Sequence, residues 1–232
     1  MNLSKISVLA FALTFASIPA LAHAATAPLR TKPRYRAPEP APVVDTAPEP
    51  TRTALREHRG FYLRAELGGG YRSLSSQSDG VSLRMDGAGV GASLLAGGTP
   101  TPNLILVGEL SINGITNPTL HSGDVSAEAK DMSVTVAGFG PGIIYYVMPA
   151  NLSLGASLLF TRLSLSQAGE RVGETELGFG ATARVGKEWW LSQRSTFGLG
   201  AGFNLASIPD KTEGVSPWLA TAFTLSATFS YD

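Results

Sequence analysis

Residues Ser216–Tyr231 read SPWLATAFTLSATFSY, and the alternation inside this stretch decides the fold. One set of alternate residues, Leu219, Thr221, Phe223, Leu225, Ala227, Phe229 and Tyr231, is mostly large and apolar. The residues between them, Ala220, Ala222, Thr224, Ser226, Thr228 and Ser230, are uniformly small and mildly polar. Period-two alternation between two such environments is the signature of a β-strand. The run is longer than the roughly 5–6 residues of an ordinary strand. Its aromatics gather at the end, as expected of a strand crossing a bilayer, which needs about 9–11 tilted residues. A long strand of a soluble barrel would alternate in the same way, so the rest of the chain must decide.

Seven further segments alternate upstream. Phe61–Ser73 sets Phe61, Leu63, Ala65, Leu67 and Tyr71 against Tyr62, Arg64, Glu66 and Arg72. Met85–Ala96 opposes Val90 and Leu94 to glycines at 87, 89 and 91. Leu104–Ile115 is less clean, because Ile105 and Val107 share a face with Glu109. Asp131–Val147 contains Gly138-Phe139-Gly140-Pro141-Gly142, where a bulge or bend is expected because proline cannot donate to a ladder. Leu152–Ser166, Glu174–Trp190 and Thr196–Leu205 alternate large apolar with small residues. With the last strand the count is eight, an even number as single-chain outer-membrane barrels require.

Three features separate a membrane barrel from a soluble one. The polar face is built of Gly, Ser and Thr with few charges, which suits the cramped interior of an eight-stranded barrel. A water-facing exterior would carry many Lys and Glu instead. Connections alternate in length: Ser75–Ser82, Thr116–Lys130, Gln167–Gly173 and Ser207–Val215 are polar, Met148–Asn151 and Leu191–Ser195 are tight turns, and Gly97–Asn103 is the longest of the short set. Aromatics sort by strand end. Phe61, Tyr62, Tyr145, Tyr146, Trp189, Trp190, Phe197, Phe229 and Tyr231 lie at the short-turn end as candidate interfacial aromatics, with Tyr71, Phe160, Phe203 and Trp218 nearer the other. Two aromatic belts are expected of a transmembrane barrel.

The N-terminal quarter is of another kind. Lys5 followed by the apolar run Ile6–Ile18 and the small-x-small site Ala22-His23-Ala24 reads as a cleavable secretory signal over 1–24. Residues 25–59 repeat proline among mixed charges without hydrophobic period, so a disordered periplasmic linker is expected, a spacer or an arm offering Arg30, Lys32, Arg34 and Arg36 to anionic surfaces. The barrel then occupies 60–232. With 18 basic and 18 acidic residues the chain lacks the basic excess of a nucleic-acid binder. Having no cysteine, it has no disulfides, thiol catalysis or zinc–thiolate sites.

The GFYLRAELGGGY opening (60–71), the VGKEWW strand end (185–190) and the aromatic C-terminal ATFSYD (227–232) resemble the small eight-stranded outer-membrane β-barrel family, OmpX-like and OmpA transmembrane-domain-like. The resemblance covers about Gly60–Asp232. It implies termini and short turns in the periplasm, long loops outside, and a last strand read by the barrel-insertion machinery. The family ending has an aromatic as its final residue, whereas Asp232 here follows Tyr231.

Arg64, Glu66, Arg72, Glu109, Glu176, Arg184 and Glu188 fall on the inner face. Unpaired burial of charge is heavily penalised, so the near balance of signs predicts a plug of ion pairs; a charge-lined pore is the alternative. Catalysis has a poor basis. His58 belongs to the linker, and His121-Ser122-Gly123-Asp124 holds triad residue types as neighbours along one loop, which rarely meet triad geometry. No catalytic, cofactor or metal site is expected. The sequence predicts an all-β, exported, non-catalytic outer-membrane barrel serving envelope structure or surface recognition through its loops, with a narrow solute channel second and a lipid-modifying enzyme third. Its partners would be outer-membrane lipid and lipopolysaccharide, the insertion machinery and a possible surface ligand, with no nucleic acid.

Overall fold

The computed structural model describes residues 56–78, 81–212 and 214–232. The expected signal sequence and nearly all of the expected linker lie outside them. In chain order the strands are β1 (Phe61–Ser78), β2 (Val81–Thr101), β3 (Leu104–Thr116), β4 (Thr119–Ser122), β5 (Val125–Glu128), β6 (Met132–Val147), β7 (Leu152–Gln167), β8 (Glu170–Glu174), β9 (Gly178–Trp190), β10 (Ser195–Ile208) and β11 (Trp218–Tyr231). Eight of them pair antiparallel in the order β1-β11-β10-β9-β7-β6-β3-β2, and β2 pairs back onto β1, closing the ring. Closure leaves the eight-stranded ring without an unpaired edge, and without it a sheet cannot sit in lipid.

The alternation of the sequence becomes an alternation of burial. In β1 the residues Tyr62, Arg64, Arg72 and Leu74 are buried while Phe61, Leu67 and Tyr71 are exposed. In β11 Ala220, Ala222, Thr228 and Ser230 are buried while Leu219, Phe223, Leu225 and Phe229 are exposed. Every strand of the ring presents such an exposed apolar row, for example Val90 and Leu94 on β2, Leu106 and Leu110 on β3, Leu158 on β7, Phe179 on β9 and Leu199 on β10. A continuous apolar girdle of this extent is far beyond what a water-facing surface carries.

Several expected boundaries move. The polar stretch Ser75–Ser82 is mostly strand, since β1 runs to Ser78 and β2 starts at Val81, making strands of 18 and 21 residues. These exceed the bilayer requirement and carry the hairpin beyond it. Thr116–Lys130, expected as a loop, contains the β4–β5 hairpin, with Leu120 opposite Met85 on β2. Similarly, Gln167–Gly173 turns back as β8 along β7. No bulge forms at Pro141. The register of β6 against β3 runs unbroken, with Pro141 opposite Gly108, and the pairing with β7 keeps one register on both sides of the gap between Phe139 and Gly142. The ladder therefore opens locally at the residue that has no N–H to give, rather than shifting.

Inside, the filling is layered. Tyr62, Leu95, Ile105, Val107, Ile144 and Tyr146 form an apolar cluster near the short-turn end. Ile105 and Val107 thus do share the inner face with Glu109. A second cluster, including Leu74, Met85, Ile115, Val134, Leu163, Ile208 and Trp218, fills the loop end. The charges lie between the two.

Candidate functional site

At the short-turn end the chain enters the barrel through its own mouth. His58, expected at the end of an unstructured linker, is wholly buried. Its N–H donates to Asn103 Oδ1 at 3.1 Å and its carbonyl accepts from Asn103 N at 3.2 Å, so the turn between β2 and β3 clamps it. The imidazole stacks on Tyr146, with ring centroids 3.6 Å apart, and on Trp190 at 4.7 Å. Nδ1 lies 2.7 Å from Asp232 Oδ2. Nε2 lies 2.9 Å from Asn151 Oδ1, while the Asn151 amide nitrogen donates to the Glu188 carbonyl at 3.4 Å. His58, two residues before Gly60, thus makes its contacts within the mouth of the barrel.

One layer deeper is the charge cluster. Arg64 Nη1 donates to Glu188 Oε1 at 2.7 Å, and Arg64 Nε lies 2.6 Å from Glu66 Oε1. Glu188 also accepts from Tyr146 Oη at 2.8 Å and from the Thr196 hydroxyl. The Tyr146 proton being committed there, Tyr62 Oη, 2.8 Å away, donates to Tyr146. Arg184 Nη2 reaches Glu109 Oε1 at 2.6 Å, and Arg184 Nε lies 3.9 Å from Glu66 Oε2. Two guanidinium groups thus bind three carboxylates in one contiguous network across β1, β3, β6, β9 and β10. Charges buried at this depth persist only when paired and hydrogen-bonded in this way.

Above the cluster stands a ring of polar side chains. Asn113 Oδ1 accepts from Arg72 Nη2 at 3.0 Å, and Thr182 donates to Asn204 Oδ1 at 2.6 Å. Two cavities meet at this ring, of about 50 Å³ on the loop side and about 40 Å³ on the cluster side, both lined by Asn113, Thr182 and Asn204.

Of the seven charges expected inside, Arg64, Glu66, Arg72, Glu109, Arg184 and Glu188 face the lumen. Glu176 does not. It is exposed in the connection before β9, its backbone N–H donating to Pro209 O at 3.1 Å, because β9 begins only at Gly178. Of the expected interfacial aromatics, Phe61, Tyr145, Trp189, Phe197, Phe229 and Tyr231 are exposed on the outer wall. Tyr62 and Tyr146 are instead fully buried in the lumen, each being the odd partner of an adjacent aromatic pair, and Trp190 turns in to stack on His58. Trp218 is likewise internal, donating Nε1–H to Asp210 at 2.8 Å.

His121 sits on β4 with Nε2 3.0 Å from Asp86 Oδ1, and Asp86 also accepts from Tyr71 and faces Arg84 at 3.1 Å. Ser122 pairs across the hairpin with Val125, leaving Gly123 and Asp124 in the turn, so the triad residue types do not converge. Among the described residues no group of three or more His, Cys, Asp or Glu is placed to hold a metal ion. The role of His58 escaped sequence reasoning because four flanking residues of proline-poor, charged chain carry no periodic signal.

No protein-family model matches the chain, and no curated protein sequence does. Solved structures do. Neisserial surface protein A superposes with a TM-score of 0.50 at 17% identity, covering 74% of this chain and 96% of that one. Ail, the attachment invasion locus protein of Yersinia pestis, follows at 0.39 and 13%, covering 75% and 99%. The outer membrane protease OmpT of Escherichia coli gives 0.42 and 8%, covering 74% and 96%. The fold is that of the small eight-stranded outer-membrane β-barrels. Together with the apolar girdle, it makes the chain a bacterial outer-membrane protein.

Proposed function

We propose that the protein is a non-catalytic outer-membrane barrel, closed to solutes, that acts through recognition at its loop end. The carrying observation is the Arg64–Glu188–Glu66 network with Arg184 and Glu109, capped by Tyr62, Tyr146 and His58. A lumen of eight strands is only wide enough for side chains, and here those side chains are tied to one another. With short turns and termini in the periplasm, the β1–β2 hairpin, the β4–β5 hairpin and β8 stand outside. Every residue of β5 is exposed, Val125 by 70%, which offers an apolar contact at an otherwise polar tip. The pairing of His121 with Asp86, rather than with Ser122 or Asp124, supports leaving catalysis out.

A narrow solute channel is the second reading, favoured by the two cavities that meet at Asn113, Thr182 and Asn204. Reconstitution in planar bilayers separates the two. A closed barrel gives no unitary conductance, and Arg64→Ala with Glu188→Ala introduces one. Steady conductance of the parent protein would overturn the plug and favour the channel. Replacing 119–128 by a short turn should abolish binding to host or neighbouring cell surfaces while leaving the heat-modifiable barrel intact. Unchanged binding would remove recognition by this hairpin and leave an envelope-bracing role.

A further inference from the structure

The lumen holds three arginines, and they are not treated alike. Arg64 and Arg184 each lie within 2.7 Å of a carboxylate oxygen. Arg72, only 3% exposed, has no carboxylate within ion-pair distance among the described residues. Of the five N–H donors of a guanidinium, one reaches Asn113 Oδ1 at 3.0 Å, another reaches Gly70 O at a marginal 3.5 Å, and Nε has no protein acceptor. Room for the group is made deliberately. Glycines at 89 and 91 stand where a Cβ would come within 2.9 and 2.7 Å of the Arg72 Nη atoms. Asn113 adds a second donor, because its oxygen is taken by Arg72 and its amide N–H groups must point elsewhere.

This donor pair lines the cavity of about 50 Å³ on the loop side of the polar ring. Most of the remaining wall of that cavity is apolar, with Leu74, Ile115, Val134 and Ala206, all of the loop-end cluster, beside the hydroxyl and amide groups of Ser111, Thr161, Thr182 and Asn204. Water-filled lumens of outer-membrane barrels are polar, so an apolar chamber ending on an incompletely paired arginine is the layout of a binding site. Sites for small molecules combine an apolar wall with a few convergent polar groups. A buried guanidinium gains most from an anion it can grip with charge-assisted hydrogen bonds.

We propose that this chamber binds a small monocarboxylate of two to four carbons. Its carboxylate lies on Arg72 and the Asn113 amide, and its hydrocarbon end lies against Leu74, Ile115, Val134 and Ala206. The size limit follows from the cavity. One water needs roughly 10–15 Å³ by the same measure, so about 50 Å³ holds only a few heavy atoms. The opposite end is filled by the ion-pair network and the His58 cap, so a ligand reaches the chamber from the loop end, past the side chains of the apolar cluster there.

The test is a titration of the isotope-labelled full chain, refolded in detergent, with sodium butyrate, read from amide and Asn side-chain shifts. Saturable shifts at Asn113, Thr182 and Ala206 are expected. Arg72→Gln should weaken binding at least tenfold, and Arg72→Lys should recover part of it. Ala206→Leu, which fills the apolar wall and leaves the charge in place, should abolish it. Heat-modifiability on a gel certifies that each variant is folded. Butyramide matching butyrate would overturn the assignment by making the charge irrelevant. Chloride matching butyrate would overturn it by making the apolar wall irrelevant. Unchanged binding in Arg72→Gln, or no saturable shift in the parent, would also overturn it.

Discussion

The His58 imidazole meets the Asp232 carboxylate at 2.7 Å, and so joins the segment entering the barrel to the residue that follows its last strand. The contact accounts for Asp232 succeeding the aromatic Tyr231: the acid turns inward, 9% exposed, and serves as the partner of a buried ring. His58→Ala should therefore release residues 56–60 without opening the barrel. Arg59 is a trypsin site whose neighbour is clamped to Asn103, so cleavage after Arg59 should become much faster in this variant and in Asp232→Asn. The lost buried contacts should lower unfolding stability by about 1–3 kcal/mol. Unchanged cleavage rates would mean that the segment is held by something else.

Glu188 is the hub of the network, contacted by Arg64, Tyr146 and Thr196. Glu188→Ala leaves Arg64 buried with only Glu66 and Ser153 near it. Removing one member of a buried ion pair typically costs about 3–5 kcal/mol, whereas replacing both by well-packed apolar residues is often neutral. Denaturant unfolding of the refolded protein should show that loss for Glu188→Ala and a much smaller one for the double variant Arg64→Met, Glu188→Met. Equal losses would mean that the network stabilises by packing alone.

How much of this was legible in the sequence follows from where periodicity operates. Alternation in β1, β9, β10 and the last strand matches the exposure of Leu199, Phe179 and Leu225 and the burial of Arg64 and Glu188, because inner and outer environments differ in size and polarity at every step. Adjacent aromatics defeat this rule. In Tyr62 beside Phe61, and in Tyr146 beside Tyr145, one ring must face in, and grouping by strand end placed both in the belt. Glu176 was misplaced by extending a clean alternation two residues upstream of Gly178, where β9 starts. The apolar loop-end filling was hidden for a different reason. Met85, Leu163 and Ile208 lie where the strands have left the zone of alternating demands, and both faces can be apolar or polar there. Arg72 was placed inside by pattern, but its lack of a carboxylate is a three-dimensional fact that no spacing reports.

The outer girdle makes its own demand. Leu67 is 68% exposed, midway along β1 between Phe61 and Tyr71, which are exposed by 60% and 50%. Leu67→Arg should lower folding stability in lipid by about 2–4 kcal/mol, the cost of a basic residue near the bilayer midplane. Val125→Arg at the tip of the β4–β5 hairpin should change it by no more than about 0.5 kcal/mol, as for a surface site. Urea titrations of the vesicle-folded protein compare the two directly. Similar small effects at both positions would contradict burial of the β1 row in hydrocarbon.

Partial burial of Asp210 opposes its charge, but the Trp218 indole N–H at 2.8 Å and the Thr212 backbone N–H at 2.9 Å stabilise the carboxylate, and it is held below the ordinary carboxylate range. A depressed folded value means that the ionised form contributes stability at pH above the unfolded value, near 3.9. That contribution disappears as the pH falls through the lower folded value. The Trp218 indole N–H resonance should thus hold its position down to about pH 4 and shift only below it, with faster amide exchange at Thr212 over the same range. In Asp210→Ala the resonance should no longer titrate, and with no side-chain acceptor left for the Thr212 N–H the exchange should be fast at every pH. A midpoint above about 4 would show that burial, not the two N–H donors, governs this carboxylate.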